Sequence, residues 1–248
     1  MPAEQAQLAV IGVSKRFGGV RAIEDLSIAV RKGEIVSIIG PNGAGKTSLL
    51  NIVSGFYRPN RGSIKFEERY ITQARPSEIA ALGIARTFQN IALFSGLSVL
   101  DNIMLGRHVH MRSGLLASLV YWGVAQNEEV RHRARCEELI EFLKLGGVRK
   151  QPSGGLPYGL RKRVELGRAL ALDPKLLLLD EPMGGMNQEE KRTWRASSST
   201  LTLSGARPSS LSSTIWVWSW TFPIVLLCST TGARSLTARP MRCRKIPM

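Results

Sequence analysis

The chain has 248 residues, with 34 Lys+Arg against 19 Asp+Glu and a formal net charge of +15. Hydrophobic residues make up 44% of it, which suits a globular domain and excludes a disordered polymer. No apolar run reaches the roughly 18 residues of a membrane-spanning helix, and no apolar leader opens the sequence. Cys136, Cys228 and Cys243 match neither a disulfide framework nor a metal site, so the expectation is a cytosolic-type chain.

The charge is unevenly spread. Glu190 is the last acidic residue, and residues 192–248 hold 8 basic residues, 11 Ser, 8 Thr and four of the five tryptophans. A basic balance prompts the thought of a nucleic-acid partner. Here it falls largely on a segment unlike the rest of the chain, and no nucleic-acid partner is expected.

In chain order, residues 7–13 and 22–30 alternate like half-buried strands, with a turn at Arg31–Glu34. Residues 35–39 form a short apolar strand that runs into a glycine-rich loop. A helix over 46–54 follows, stopped by Gly55. Residues 62–66 read as a strand and 76–82 as a short helix. The stretch 97–145 is mostly helical, clearest over 127–145 and stopped by Gly146-Gly147. A further helix is predicted over 160–172 and a buried strand over 175–179. Strand, loop, helix, a helical insertion and a return to the sheet indicate an α/β fold.

Two segments carry chemistry. Gly40-Pro41-Asn42-Gly43-Ala44-Gly45-Lys46-Thr47 fits the phosphate-binding pattern G-x-x-x-x-G-K-[ST]. Its glycines let backbone N–H groups turn toward phosphates, and the following helix offers its positive end. Lys46 then reaches the β- and γ-phosphates, and the Thr47 hydroxyl binds Mg²⁺. The second segment is the apolar strand Leu176–Leu179, which ends in Asp180-Glu181. Asp180 is placed to hold the Mg²⁺ shell and Glu181 to polarise an attacking water.

With these residues in place the chain resembles the ATP-binding cassette family. The resemblance implies a P-loop NTPase (RecA-like) core with an antiparallel β subdomain and a helical subdomain at about 90–160. Gln89 matches the family's glutamine loop, a metal ligand and relay to the membrane partner. Phe17 sits where the family stacks an aromatic ring on adenine. The nucleotide contacts it implies also include the loop from Gly40 through Ser48. Leu156-Pro157-Tyr158-Gly159-Leu160 occupies the signature position, which in the family closes on the ATP of a second subunit. The general signature is Leu-Ser-Gly-Gly-Gln; Pro157 removes the serine hydroxyl, and Tyr158 and Leu160 also depart. Gly184–Asn187 looks like the loop that touches the opposite subunit.

Within the family, the Leu-Pro-Tyr-Gly signature, Gly-Met-Asn-Gln-Glu-Glu after the carboxylates and the insertion at 107–127 look like the branched-chain amino acid importer ATPases. This implies ATP and Mg²⁺ as cofactors and a second ATPase subunit as partner. It also implies integral membrane permeases, a solute-binding protein, and a place on the cytoplasmic side of the membrane. A soluble cassette serving nucleic acid or the ribosome is the alternative that the charge prompts.

The resemblance covers residues 7–191. A cassette continues with a histidine loop that grips the γ-phosphate, but His108, His110 and His132 are the only histidines. Permitted codons for Arg192–Thr200, read one base earlier, give Glu-Asp-Met-Ala-Arg-Phe-Ile-Leu-Asp. The same step over Ser212–Thr221 gives Ile-Glu-His-Asp-Met-Gly-Val-Val-Met-Asp. Over Thr221–Gly232 it gives Asp-Ile-Ser-Asp-Arg-Ile-Val-Val-Leu-Asp-Tyr-Gly. Three cassette-like segments in order under one shift mark residues 192–248 as a frameshifted tail beside an ATP-binding domain at 5–191. In this reading the C-terminal part of the core is missing or aberrant, residues 215–228 are poorly specified, and turnover suffers more than nucleotide binding.

Overall fold

The computed structural model describes residues 6–39, 43–110, 124–180, 224–228 and 242–245. They divide into two compact units, one of residues 6–86 with 175–180 and the two tail strands, the other of residues 87–174. Among the described residues no helix is long and apolar enough to cross a membrane.

In the first unit, β1 (Ala6–Phe17) and β2 (Val20–Arg31) form an antiparallel hairpin from Ala6 opposite Arg31 to Phe17 opposite Val20. Gly18-Gly19 makes the two-residue turn, with Gly18 at φ 55°, the positive φ that such turns require. The hairpin is longer at its tip than the alternation indicated, because Lys15-Arg16-Phe17 pairs as strand without alternating. β4 (Arg61–Phe66) pairs with β1, and β5 (Arg69–Tyr70) with β4, giving an antiparallel sheet of order β2-β1-β4-β5.

The second sheet has five strands among the described residues. β3 (Ile35–Ile39), β6 (Ile84–Arg86) and β7 (Leu176–Leu179) come from the body of the chain, β8 (Ile224–Cys228) and β9 (Arg242–Lys245) from the tail. β6 pairs parallel with β7, and β9 parallel with β3. β8 lies between β3 and β7 and runs antiparallel to both.

That reversal corrects one expectation. The last five residues of the stretch 215–228 form a central strand and are not unspecified chain. An uninterrupted run of Ile-Val-Leu-Leu-Cys can sit between two apolar strands, and its backbone satisfies groups that β3 and β7 would otherwise leave open. Residues 215–223 lie outside the described ones.

β7 reads as a continuous apolar run and β3 as one broken only by Ser37, the pattern of strands covered on both faces. Val36, Ile38, Leu176 and Leu178 are buried with Leu49, Leu50, Ile52 and Val53 of α1 (Lys46–Val53) and with Val10, Val13 and Val30 of the hairpin. Each such side chain contributes about 1.5–3 kcal/mol by leaving water. α1 stops at Gly55, whose φ of 77° suits a helix terminator. A Cβ there would come within 2.7 Å of Ile79 Cδ1. α2 (Pro76–Ala81) starts with Pro76 in its first turn, and the Glu78 side chain accepts from the Arg75 amide at 2.8 Å.

The second unit packs α3 (Val99–Met104), α4 (Val124–Phe142) and α5 (Tyr158–Leu170) on one another. Cys136, Leu139, Ile140 and Leu143 follow helical spacing and are all buried. A 3₁₀ segment, Leu105–His110, continues α3. The insertion residues 111–123 lie outside the described ones. α5 begins two residues earlier than its sequence pattern indicates, with Pro157 as its N-cap residue.

Candidate functional site

The segment that fits the phosphate-binding pattern lies where β3 gives way to α1. Gly43 and Gly45 have φ of 85° and 79°, a region that side chains resist. A Cβ on Gly45 would come within 2.2 Å of the Ala22 carbonyl oxygen, so only glycine fits there. Gly45 is the N-cap residue of α1 and supplies no side-chain cap; the first helical bond runs from the Leu49 amide to the Gly45 carbonyl at 2.9 Å. The amides of Lys46, Thr47 and Ser48 therefore lie in the opening turn, the end of a helix that favours an anion. Lys46 is 7% exposed. Ala44 and Ser48 are half-buried and Thr47 is exposed. A left-handed glycine at the helix start with a lysine and a hydroxyl just inside it fits a phosphate with its metal. Gly40, Pro41, Asn42 and Glu181 lie outside the described residues.

Asp180 directly follows β7 and is 1% exposed. Arg86, at the end of neighbouring β6, donates from Nη2 to Asp180 Oδ2 at 3.2 Å and from Nη1 to Asn51 Oδ1 at 2.6 Å. Asn51 belongs to α1, so one guanidinium ties the phosphate-loop helix to the carboxylate strand. Burial lowers the Arg86 pKa from its ordinary value, and the Asp180 charge opposes that shift. Sequence reasoning did not single out Arg86 or Asn51. A three-residue strand is too short for periodicity to reveal, and without it nothing sets Arg86 beside Asp180.

Phe17 is 41% exposed at the hairpin tip. In the second unit, Gln89 is exposed and its carbonyl accepts from Lys162 Nζ at 3.0 Å. Lys162 also donates to the Phe88 carbonyl at 2.8 Å and to Glu165 Oε2 at 3.2 Å, while Glu165 Oε1 accepts from the Phe88 amide at 3.0 Å. Leu156 and Gly159 are buried, and Pro157 and Tyr158 are exposed. Pro157 caps α5 without a side-chain hydrogen bond. Among the described residues no group of three His, Cys, Asp or Glu side chains could hold a metal ion. Mg²⁺ needs no such group, because one carboxylate and the phosphates it accompanies suffice.

A strand-loop-helix phosphate cradle beside a carboxylate-ended strand defines a P-loop nucleotide-binding fold. The sequence pattern of the ABC transporter family matches residues 23–184. The chain is 36% identical over 188 residues to the high-affinity branched-chain amino acid transport ATP-binding protein LivG of Salmonella typhimurium, covering 76% of this chain and 74% of that one. It is 34% identical over 183 residues to BraF of Pseudomonas aeruginosa, described in the same words, covering 74% and 72%. The crystal structure of a nucleotide-free ATP-binding cassette from an ABC transporter superposes with a TM-score of 0.63 at 34% identity, covering 76% of this chain and 74% of that one. The chain belongs to the ABC transporter family.

Proposed function

We propose that the chain is the ATP-binding, ATP-hydrolysing subunit of an importer of branched-chain amino acids. In this reading it pairs with a second cassette subunit and docks on permeases at the cytoplasmic side of the membrane, where a solute-binding protein delivers the amino acid. The observation that carries the ATPase reading is the Gly45–Lys46 cradle, held through Asn51 and Arg86 to Asp180 in one unit. The substrate class rests on the likeness to LivG and BraF.

Each residue has a part in this account. Backbone amides from Gly40 to Ser48 and the Lys46 ammonium bind the phosphates, while Phe17 receives the base. Thr47 and Asp180 would hold Mg²⁺, with Gln89 as the further ligand that the family likeness implies, and the ion would draw charge from the β- and γ-phosphates. Arg86 fixes the Asp180 carboxylate from behind. Glu181 takes the proton of the attacking water. Leu156, Pro157, Tyr158 and Gly159 face the nucleotide of the second subunit, through backbone and helix end because Pro157 has no hydroxyl.

A second reading concerns the competence of this polypeptide. No histidine follows His132, and tail strand β8 enters the sheet reversed. Residues 192–248 then represent a shifted frame, and the chain binds MgATP while turning it over poorly. Calorimetric titration with MgATP tests binding, with Lys46→Ala as control. Retained affinity in Lys46→Ala contradicts the phosphate-loop assignment. Restoring the frame from Lys191 onward and assaying phosphate release tests the second reading; unchanged turnover contradicts it.

A further inference from the structure

Phe17 does not stand alone at the hairpin tip. Its ring meets Tyr57 edge to face, with centroids 5.1 Å apart and planes at 71°. Tyr57 follows α1 in the turn after Gly55, and its amide donates to the Asn51 carbonyl at 3.1 Å. The Lys15 ammonium lies 5.2 Å from the Phe17 centroid and 6.0 Å from the Tyr57 centroid. That ammonium is anchored by donating to the Arg58 carbonyl at 2.8 Å. Phe17 and Tyr57 are nevertheless 41% and 40% exposed. Two half-exposed rings with a tethered cation are not a hydrophobic core.

The geometry points to Tyr57 and Lys15 as positioning residues that fix the Phe17 ring for a nucleobase. This inference rests on the reading of Phe17 as the base platform and goes beyond it by naming what orients that platform. A ring at the tip of a Gly18-Gly19 hairpin turns freely about its own side-chain bonds, and ordering it on ligand binding costs affinity. The contact with Tyr57 holds one orientation in advance, as edge-to-face pairs do. The Lys15 cation adds attraction toward both rings. Tyr57 is bonded to Asn51, which also receives Arg86, so the platform and the α1 helix that opens the phosphate cradle share one anchor. Stacking recognises any base through its π-face. The platform therefore serves nucleotides of any base as a class, and its contribution is absent for a ligand made of phosphates alone.

The experiment measures the affinity of the full chain for MgATP and for magnesium tripolyphosphate, in the parent and in Tyr57→Ala, Tyr57→Phe, Lys15→Met and Phe17→Ala. The expected result is a several-fold loss of MgATP affinity in Tyr57→Ala and Lys15→Met with tripolyphosphate affinity unchanged, and near-parent behaviour in Tyr57→Phe. Phe17→Ala is expected to lose more than either. If Phe17→Ala weakens MgATP alone while Tyr57→Ala and Lys15→Met match the parent, the positioning role is overturned and the platform stands. If Phe17→Ala leaves MgATP affinity intact, the platform itself is overturned. Parallel losses for both ligands in Tyr57→Ala, or a Tyr57→Phe variant as weak as Tyr57→Ala, also overturn the inference. The first would make Tyr57 a merely structural residue and the second would place its effect in the hydroxyl.

Discussion

Lys162 and Glu165, 3% and 1% exposed, meet at 3.2 Å one turn apart on α5. Between them they take the Phe88 carbonyl, the Gln89 carbonyl and the Phe88 amide. The backbone that carries Gln89 is thus bolted to the helix that follows the signature. A buried ion pair whose partners are fully hydrogen-bonded is costly to break from one side. Lys162→Met should destabilise the chain by about 3–5 kcal/mol in urea unfolding, because the Glu165 charge loses its counter-ion.

The same pair gives a pH dependence. Burial raises the Glu165 carboxyl above its ordinary value, while the Lys162 charge and the Phe88 amide pull it back. A raised carboxyl holds its proton more tightly folded than unfolded. Its contribution is full below the ordinary carboxylate range and is lost as the pH rises through the folded value. Glu165→Gln removes this titration. Urea midpoints measured across the acid range should fall with rising pH more steeply in the parent than in the variant.

Arg86→Met removes the cation that joins Asp180 to Asn51. The expected cost in unfolding free energy is about 3–5 kcal/mol. Because Arg86 orients a proposed metal ligand, MgATP affinity should also drop about tenfold or more. Calorimetry on the folded fraction measures the second effect separately from the first.

Gly45→Ala places a methyl group 2.2 Å from the Ala22 carbonyl oxygen at a φ of 79°. Backbone strain alone costs about 1–3 kcal/mol, and the loop must shift to relieve the overlap. MgATP and tripolyphosphate binding should both disappear while far-UV circular dichroism stays near that of the parent.

Burial pushes the Cys136 thiol up to about 11, so at neutral pH it is protonated and a weak nucleophile. Iodoacetamide at pH 8 followed by peptide mapping should leave Cys136 unmodified in the folded chain and alkylate it in urea.

Much of the fold was legible because its signals are local. Apolar runs at 35–39 and 176–179, the glycine pattern before Lys46 and the helix stop at Gly55 each carry their own physics. The departures are nonlocal. β6 became visible only through its parallel pairing with β7. The hairpin tip extended to Phe17 because Gly18-Gly19 permits a two-residue turn, a signal present in the sequence but masked by the charged Lys15-Arg16. β8 shows the converse: five apolar residues gave no hint of strand direction, which their two neighbours decide. The site divides in the same way. Lys46 and Asp180 sit in patterns that announce them, whereas Arg86, Asn51 and Tyr57 matter through partners 94, 35 and 40 residues away.

The central claim is that the Gly45–Lys46 cradle binds MgATP. Calorimetric titration of the purified full chain, beside Lys46→Ala at equal concentration and matched circular dichroism, tests it most directly. The account predicts saturable binding by the parent and none by the variant. Equal affinity in the two chains would contradict it.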